Sequence, residues 1–198
     1  MAKQGGQNRM IISIDLDCVV NNLMEKTLEI YNKQNNKNIQ MSDLTSYDLY
    51  ECLNKTDAEG LVKLFKNKSL WDSLTPLVGA KEGVRELIDS GHRVYLVTAT
   101  APENFMWKVQ WVKRFFPYVH PENIVRLMDK SLFKCDVMID DCLEQLLKHK
   151  LCHRICFDYP WNRNIDDFVY DIHRCKNWKE ILEIINEIEK ERLEWEKK

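Results

Sequence analysis

No apolar run in this sequence approaches the roughly 20 residues a membrane-spanning helix needs, so the chain is expected to work off the membrane. It also lacks a basic excess. Its 29 Lys and Arg stand against 31 Asp and Glu, a formal net charge of -2. A general nucleic-acid binder would carry the opposite balance. Residues 1–9, Met-Ala-Lys-Gln-Gly-Gly-Gln-Asn-Arg, lack the apolar centre of a signal peptide and are expected to be a disordered tail. Internal repeats and low-complexity tracts are missing as well. The seven cysteines are odd in number and scattered. Without an export signal they read as reduced thiols of a cytoplasmic protein. His149, Cys152, His153 and Cys156, with His173 and Cys175 further on, are residue types that bind zinc. Their spacing matches no zinc motif, and packing is their expected role.

What is present fits an ordinary globular protein, with 44% hydrophobic and 30% charged residues in 198. That length suits one main domain with an insertion, or two small domains. A short β-branched run, Ile11-Ile12-Ser13-Ile14, ends on Asp15-Leu16-Asp17. Such a run reads as a buried parallel strand. Two aspartates one residue apart repel unless a cation or a shared proton compensates them.

A helical pattern follows at Leu23, Met24, Thr27, Leu28 and Tyr31, and no strand pattern appears before Pro76. Residues 23–75 therefore read as a helical insertion, with a helix from Asp57 to Lys66 and a connector over 70–80. Strands then alternate with helices. The strands are expected at Arg93–Val97, Ile124–Leu127, Cys135–Ile139 and Arg154–Asp158. The intervening helices include Lys81–Ser90, stopped by Gly91, and one opening at Pro102 with Phe105, Val109, Val112 and Phe116 on its apolar face. Trp178, Ile181, Leu182, Ile185 and Ile188 mark a last helix. This alternation predicts an α/β fold, a Rossmann-like three-layer parallel sheet. Its core is residues 10–22 and 76–198, and the helical cap is residues 23–75.

In a parallel sheet the strand ends share one edge, and ligands bind there. Asp15 and Asp17, Thr98, Lys130 and the pair Asp140-Asp141 all fall at strand ends. Carboxylates hold magnesium through oxygen. A hydroxyl and a lysine neutralise phosphate oxygens, and a carboxylate can act as nucleophile in phosphoryl transfer. A receiver domain has similar parts in a different order, and no helical insertion of this size after its first strand.

The order Asp-x-Asp, Thr, Lys, Asp-Asp resembles the haloacid dehalogenase superfamily of phosphohydrolases. Within it, Ile14-Asp15-Leu16-Asp17, Pro76-Leu77-Val78-Gly79-Ala80, Val97-Thr98-Ala99, Asp129-Lys130-Ser131, Ile139-Asp140-Asp141 and Phe157–Arg163 resemble the 5'(3')-deoxyribonucleotidase branch, the cytosolic type C pyrimidine nucleotidases. The resemblance implies roles. Asp15 would be the nucleophile and Asp17 the acid and base. Thr98, Ala99 and Lys130 would hold phosphate. Mg2+ would sit on Asp15, the Asp17 carbonyl, Asp140 and Asp141. Tyr47, Tyr50, Phe65 and Trp71 of the cap are candidates for stacking on a base, against the alternative of packing the cap's own core. The implied substrate is a small phosphomonoester, a nucleotide, with no nucleic-acid polymer and no membrane as partner; a homodimer is left open. A phosphatase of another small metabolite and a catalytically weak binding module are the rival readings. The second rests on Cys18, which stands where the family usually has glycine.

Overall fold

The computed structural model describes residues 9–195. The tail expected over residues 1–9 lies, apart from Arg9, outside them. Six parallel strands form one sheet: β1 (Ile11–Ile14), β2 (Arg93–Thr98), β3 (Ile124–Arg126), β4 (Val137–Asp140), β5 (His153–Phe157) and β6 (Ile172–Cys175). They lie in the order β3-β2-β1-β4-β5-β6. The chain winds outward from β1 in one direction, then returns and winds in the other. The reversal falls between β1 and β4, which are neighbours in register, Ile14 beside Ile139. Ligands of open α/β sheets bind at such a reversal, past the carboxyl ends of the strands.

The two faces of the sheet carry separate apolar clusters. Val137, Ile139, Ile155 and Phe157 join the large cluster, while Met138 and Cys156 join a small one with Leu146 and Ile172. Alternation along a strand produces this division. α7 (Leu143–Lys148) supplies Leu146 to the smaller cluster. α5 (Ala80–Asp89) and α8 (Trp178–Trp195) supply Val84, Leu87, Ile181 and Ile185 to the larger. The layers are therefore helix, sheet, helix, as the alternation predicts. Gly91 has φ +94, the left-handed conformation expected of a residue that stops α5.

Between β1 and α5 come four helices: α1 (Leu23–Asn35), α2 (Leu49–Cys52), α3 (Lys55–Phe65) and α4 (Lys68–Ser73). α1, α3 and α4 pack on one another. The Tyr31 ring of α1 lies against Gly60 of α3, where an added Cβ would come within 2.3 Å of it. Tyr31 donates its hydroxyl to Asp57 at 2.7 Å, and Asp57 also accepts from Asn54 and Lys37. The insertion is tied to the core at its ends. Asn22 exchanges hydrogen bonds with the Thr75 backbone, through its own amide at 3.1 Å and its side-chain oxygen at 2.8 Å.

Two elements differ from the sequence reading. The segment expected as a connector contains α4, whose start is capped by Asn67 accepting from Ser69 N–H at 3.0 Å. The strand β6 was not expected. It reads Ile-His-Arg-Cys, is only four residues long, and closes one edge of the sheet, so it needs no continuous apolar run.

Candidate active site

The ladder between β1 and β4 continues one residue beyond β1, because Asp15 N–H donates to the Ile139 carbonyl at 2.9 Å. This holds the Asp15 side chain beside the end of β4. Carboxylate oxygens of Asp15, Asp140 and Asp141 all lie within 4.8 Å of one another, and the three residues are buried. Lys130, in the single turn after β3, is buried too. Its ammonium bridges Asp15 and Asp140, at 2.6 Å from Asp140. Gln145 of α7 fixes that turn by accepting from Lys130 N–H at 3.0 Å.

Fully ionised, three carboxylates and one ammonium would leave two negative charges unbalanced. The electrostatics reflect this. Burial, and after it the carboxylates of Asp140 and Asp17, push Asp15 up to about 7 despite the pull of Lys130. Burial, and after it the carboxylates of Asp140 and Asp15, hold Asp141 well above its usual range. A divalent cation with oxygen preference would supply the missing charge, so the donor set fits magnesium.

Asp17 behaves differently. Its carboxylate is outside the cluster of three and is partly exposed. Lys108 of α6 (Pro102–Phe115) pairs with it, and Asn21 Nδ2 donates to its other oxygen at 3.1 Å. Lys108 also donates to Thr98 Oγ1 at 2.7 Å, and its ammonium lies 5.1 Å from the Trp71 ring centroid. Lys108 was missed in the sequence because the apolar face of α6 was drawn through Phe105 and Val109. The buried face runs through Asn104, Lys108, Trp111 and Val112. Positions i, i+4, i+7 and i+8 form one stripe; a lysine in that stripe was the available signal.

Asn21 and Cys18 shape the turn after Asp17. Asn21 Oδ1 accepts from Leu23 N–H at 3.0 Å and from Cys18 N–H at 3.4 Å, so one buried carboxamide starts α1 and steadies Asp17. Cys18 has φ +59, the left-handed region in which glycine is the residue without cost. The turn is kept with a side chain in place, and its thiol is buried and pushed up by that burial.

The loop Phe157–Arg163 buttresses Asp141 from the other side. Trp161 Nε1 donates to Asp141 Oδ2 at 3.1 Å, and Asn162 Nδ2 donates to the Asp141 carbonyl at 2.9 Å. Trp161 stacks on Tyr159 with ring centroids 4.4 Å apart.

A cavity of about 280 Å³ opens over Asp17, Cys18, Ala99 and Asp141. Leu23, Met24, Leu49, Phe65 and Trp71 make one wall, from the helical insertion, and Tyr47 reaches over it. Tyr47 is 63% exposed as a residue, yet desolvation of its phenol and the nearby Asp141 hold that phenol above the usual range. Trp71 is buried and donates to the Phe65 carbonyl at 2.9 Å, so it both packs the insertion and lines the cavity. Tyr50 is half exposed and does not line the cavity. Asn104 does. It is 8% exposed, and its Oδ1 has no hydrogen-bond partner.

A doubly wound sheet with Asp-x-Asp, Thr, Lys and Asp-Asp gathered at its reversal defines a phosphatase-type hydrolase of the haloacid dehalogenase fold. Solved structures agree on the fold. A hydrolase from Pseudomonas syringae superposes with TM-score 0.58 at 13% identity, over 91% of this chain and 99% of that one. A haloacid dehalogenase family hydrolase from Deinococcus radiodurans, solved with bound phosphate and sodium, gives 0.60 at 10% identity, over 92% and 97%. Residues 9–191 match the family described as 5' nucleotidase, deoxy (pyrimidine), cytosolic type C protein, and the chain belongs to that family. Relatives named 5'(3')-deoxyribonucleotidase include one from Bacillus subtilis, 27% identical over 87% of this chain and 96% of that protein. Another, from Clostridium acetobutylicum, is 27% identical over 87% and 93%. Among the described residues no helix is long and apolar enough to cross a membrane.

Proposed function

We propose that the chain hydrolyses (deoxy)nucleoside monophosphates in the cytoplasm, with magnesium and an aspartyl-phosphate on Asp15. The observation that carries this is the buried cluster of Asp15, Asp140 and Asp141, in which, among the described residues, Lys130 is the one cation bridging Asp15 and Asp140. Magnesium held there, with the Asp17 carbonyl, would neutralise the phosphoryl oxygens and orient phosphorus toward Asp15. An Asp15 oxygen attacks phosphorus as the bond from phosphorus to the nucleoside oxygen breaks. Asp17 gives that oxygen its proton, then takes one from the water that cleaves the acyl phosphate. Thr98, Lys130 and the Ala99 backbone hold the phosphoryl oxygens. Lys108 pairs with Asp17 in the free chain; an arriving phosphate dianion offers the ammonium a second partner and releases Asp17 to carry a proton.

The substrate reading rests on the cavity. Residues 23–75 act as the cap over a core of residues 10–22 and 76–198. Tyr47, Phe65 and Trp71 offer flat faces to a base. Asn104 offers an acceptor with no partner inside the fold, and a buried acceptor of this kind gains most from a donor on a ligand. The cavity volume suits a small phosphomonoester.

The test is a panel of nucleoside monophosphates and p-nitrophenyl phosphate assayed with magnesium, repeated with Asp15→Asn. The variant is expected to lose at least about a thousandfold in kcat. Full turnover in the variant would remove Asp15 as the nucleophile. Turnover of sugar phosphates above all nucleotides would replace the substrate class while leaving the chemistry intact.

A further inference from the structure

The edge of the sheet away from Asp15 carries a second cluster. Cys135 lies two residues before β4, His149 ends α7, and Cys152 immediately precedes β5. The pairing of β4 with β5 brings the two strand starts together, since His153 N–H donates to the Asp136 carbonyl at 2.9 Å. One ligand atom from each of Cys135, His149 and Cys152 lies within 4.8 Å of the others. Cys135 Sγ is 3.7 Å from His149 Nε2. His149 is buried, and the two cysteines are half-buried. The sequence reading placed His149 and Cys152 in a loose group with His153, Cys156, His173 and Cys175. The structure separates them. Cys156 and Cys175 are buried in the sheet, with Cys175 Sγ donating to the Cys156 carbonyl. Cys135, absent from that group, joins the first two.

We propose that Cys135, His149 and Cys152 bind a thiophilic divalent cation of the zinc class. Tetrahedral zinc, with Zn–S near 2.3 Å and Zn–N near 2.0–2.1 Å, sets its sulfur and nitrogen ligands about 3.6 Å apart. The observed separation of Cys135 Sγ and His149 Nε2 matches that edge within about 0.1 Å. Two sulfurs on one such ion stand about 3.8 Å apart, within the limit the cluster meets. Soft sulfur and imidazole select zinc or cobalt over magnesium, so this site and the carboxylate cluster take different ions. A shallow recess lined by Asp136, Lys150, Leu151 and Cys152 reaches the cluster from solvent on the Cys152 side.

The protons balance simply. Each thiol loses its proton to solvent as its sulfur bonds the ion, and the imidazole stays neutral. In the ion-free chain His149 Nε2 lies 2.6 Å from the Phe133 carbonyl. Coordination moves the ring hydrogen to Nδ1 and exchanges that hydrogen bond for the metal bond. The bound ion then clasps the segment before β4, the end of α7 and the start of β5, the whole crossover from β4 to β5.

The experiment uses the full chain, chelator-treated, kept reduced with a phosphine, with magnesium in excess to fill the carboxylate cluster. Cobalt is titrated in. One equivalent is expected to raise sulfur-to-cobalt charge-transfer absorption and the strong visible bands of a four-coordinate ion, and zinc should abolish both. Cobalt on carboxylates gives no sulfur band, so failure here and failure of the proposed phosphatase chemistry are distinguishable. Cys135→Ser and Cys152→Ser should remove the band and leave p-nitrophenyl phosphate turnover unchanged. His149→Gln should weaken zinc binding at least about tenfold. Should the cysteine variants fold poorly, the wild-type chain alone decides: once the phosphine has been removed under inert gas, zinc must protect two thiols from a colorimetric thiol reagent. Absence of the band together with no protected thiols would overturn the proposal, as would a band that survives both cysteine substitutions.

Discussion

Asp15 and Asp17 are two residues apart, yet their surroundings differ in a way that matches different tasks. Asp15 is buried among carboxylates and held by Lys130, while Asp17 is partly exposed and held by Lys108 and Asn21. Lys108→Met removes the ammonium with little change in volume. It leaves Asp17 without its ion pair and Thr98 without a donor. The expected result is a fall in kcat of about 10²-fold, the scale of a misplaced acid–base group. A change in KM alone would assign Lys108 to substrate binding only. Asn104 predicts the reverse pattern. Asn104→Leu should raise KM for nucleotides about tenfold, the scale of one hydrogen bond to a ligand, and leave p-nitrophenyl phosphate turnover within about twofold. Equal loss on both substrates would show that the carboxamide reads no base. At Cys18 two effects oppose each other. A side chain at positive φ costs about 1–2 kcal/mol, while burying the thiol recovers part of it. The turn therefore survives without glycine, and the binding-module reading loses its motive.

The helical insertion is held internally by a polar knot as well as by apolar packing. Tyr31 of α1 donates to Asp57 of α3, and Asn54 and Lys37 complete the shell. The Tyr31 hydroxyl first, then Asn54, hold Asp57 below the usual carboxylate value of 3.8. A depressed folded value means that the stability is present above 3.8 and is lost as pH falls through the lower folded value. Asp57→Asn should cost about 1–3 kcal/mol near neutrality, and urea melts of the two proteins should converge below pH 3.8. A gap that stays constant into acid would show that the charge of Asp57 contributes nothing. Much of this level was legible in the sequence. Leu23, Leu28 and Tyr31 marked α1. β1, β2 and β4 announced themselves as β-branched runs, because strands buried on both faces need them, and β5 as the short apolar stretch Ile155-Cys156-Phe157. β6 was not legible, since an edge strand with His173 and Arg174 on it carries no such run. Neither was the buried face of α6. A buried lysine in a helix looks like a surface lysine until its partners, Asp17 and Thr98, are brought to it by the sheet.

At the scale of the whole molecule, the site exists because the winding reverses between β1 and β4. Asp15 and Asp140 are 125 residues apart in the chain and adjacent in space, and Asp15, Lys130, Asp140 and Asp141 become one buried shell, while Lys108 ties Thr98 to the partly exposed Asp17. That shell carries an internal conflict. Three carboxylates against Lys130 leave charge that burial makes costly. The fold therefore tolerates a locally unfavourable centre that a divalent cation would relieve. Ion binding and folding are then coupled, because the unfolded chain has no such shell. At a magnesium concentration about 100 times the Kd, the native state should gain about 2.7 kcal/mol. For a chain of this size that is a rise of about 5–10 °C in Tm. Asp141→Asn separates this account from nonspecific salt effects, because it moves two quantities in opposite directions. Without magnesium the variant should be more stable than the wild type, since the buried Asp141 carboxyl has to hold a proton that the unfolded chain releases, a cost the amide does not carry. With magnesium it should gain far less than the wild type. Calorimetric scans of both proteins, each with chelator and with saturating magnesium at constant ionic strength, provide the four values required. A variant that is destabilised without magnesium, or that gains as much as the wild type with it, would show that the charge imbalance is not what the cation relieves.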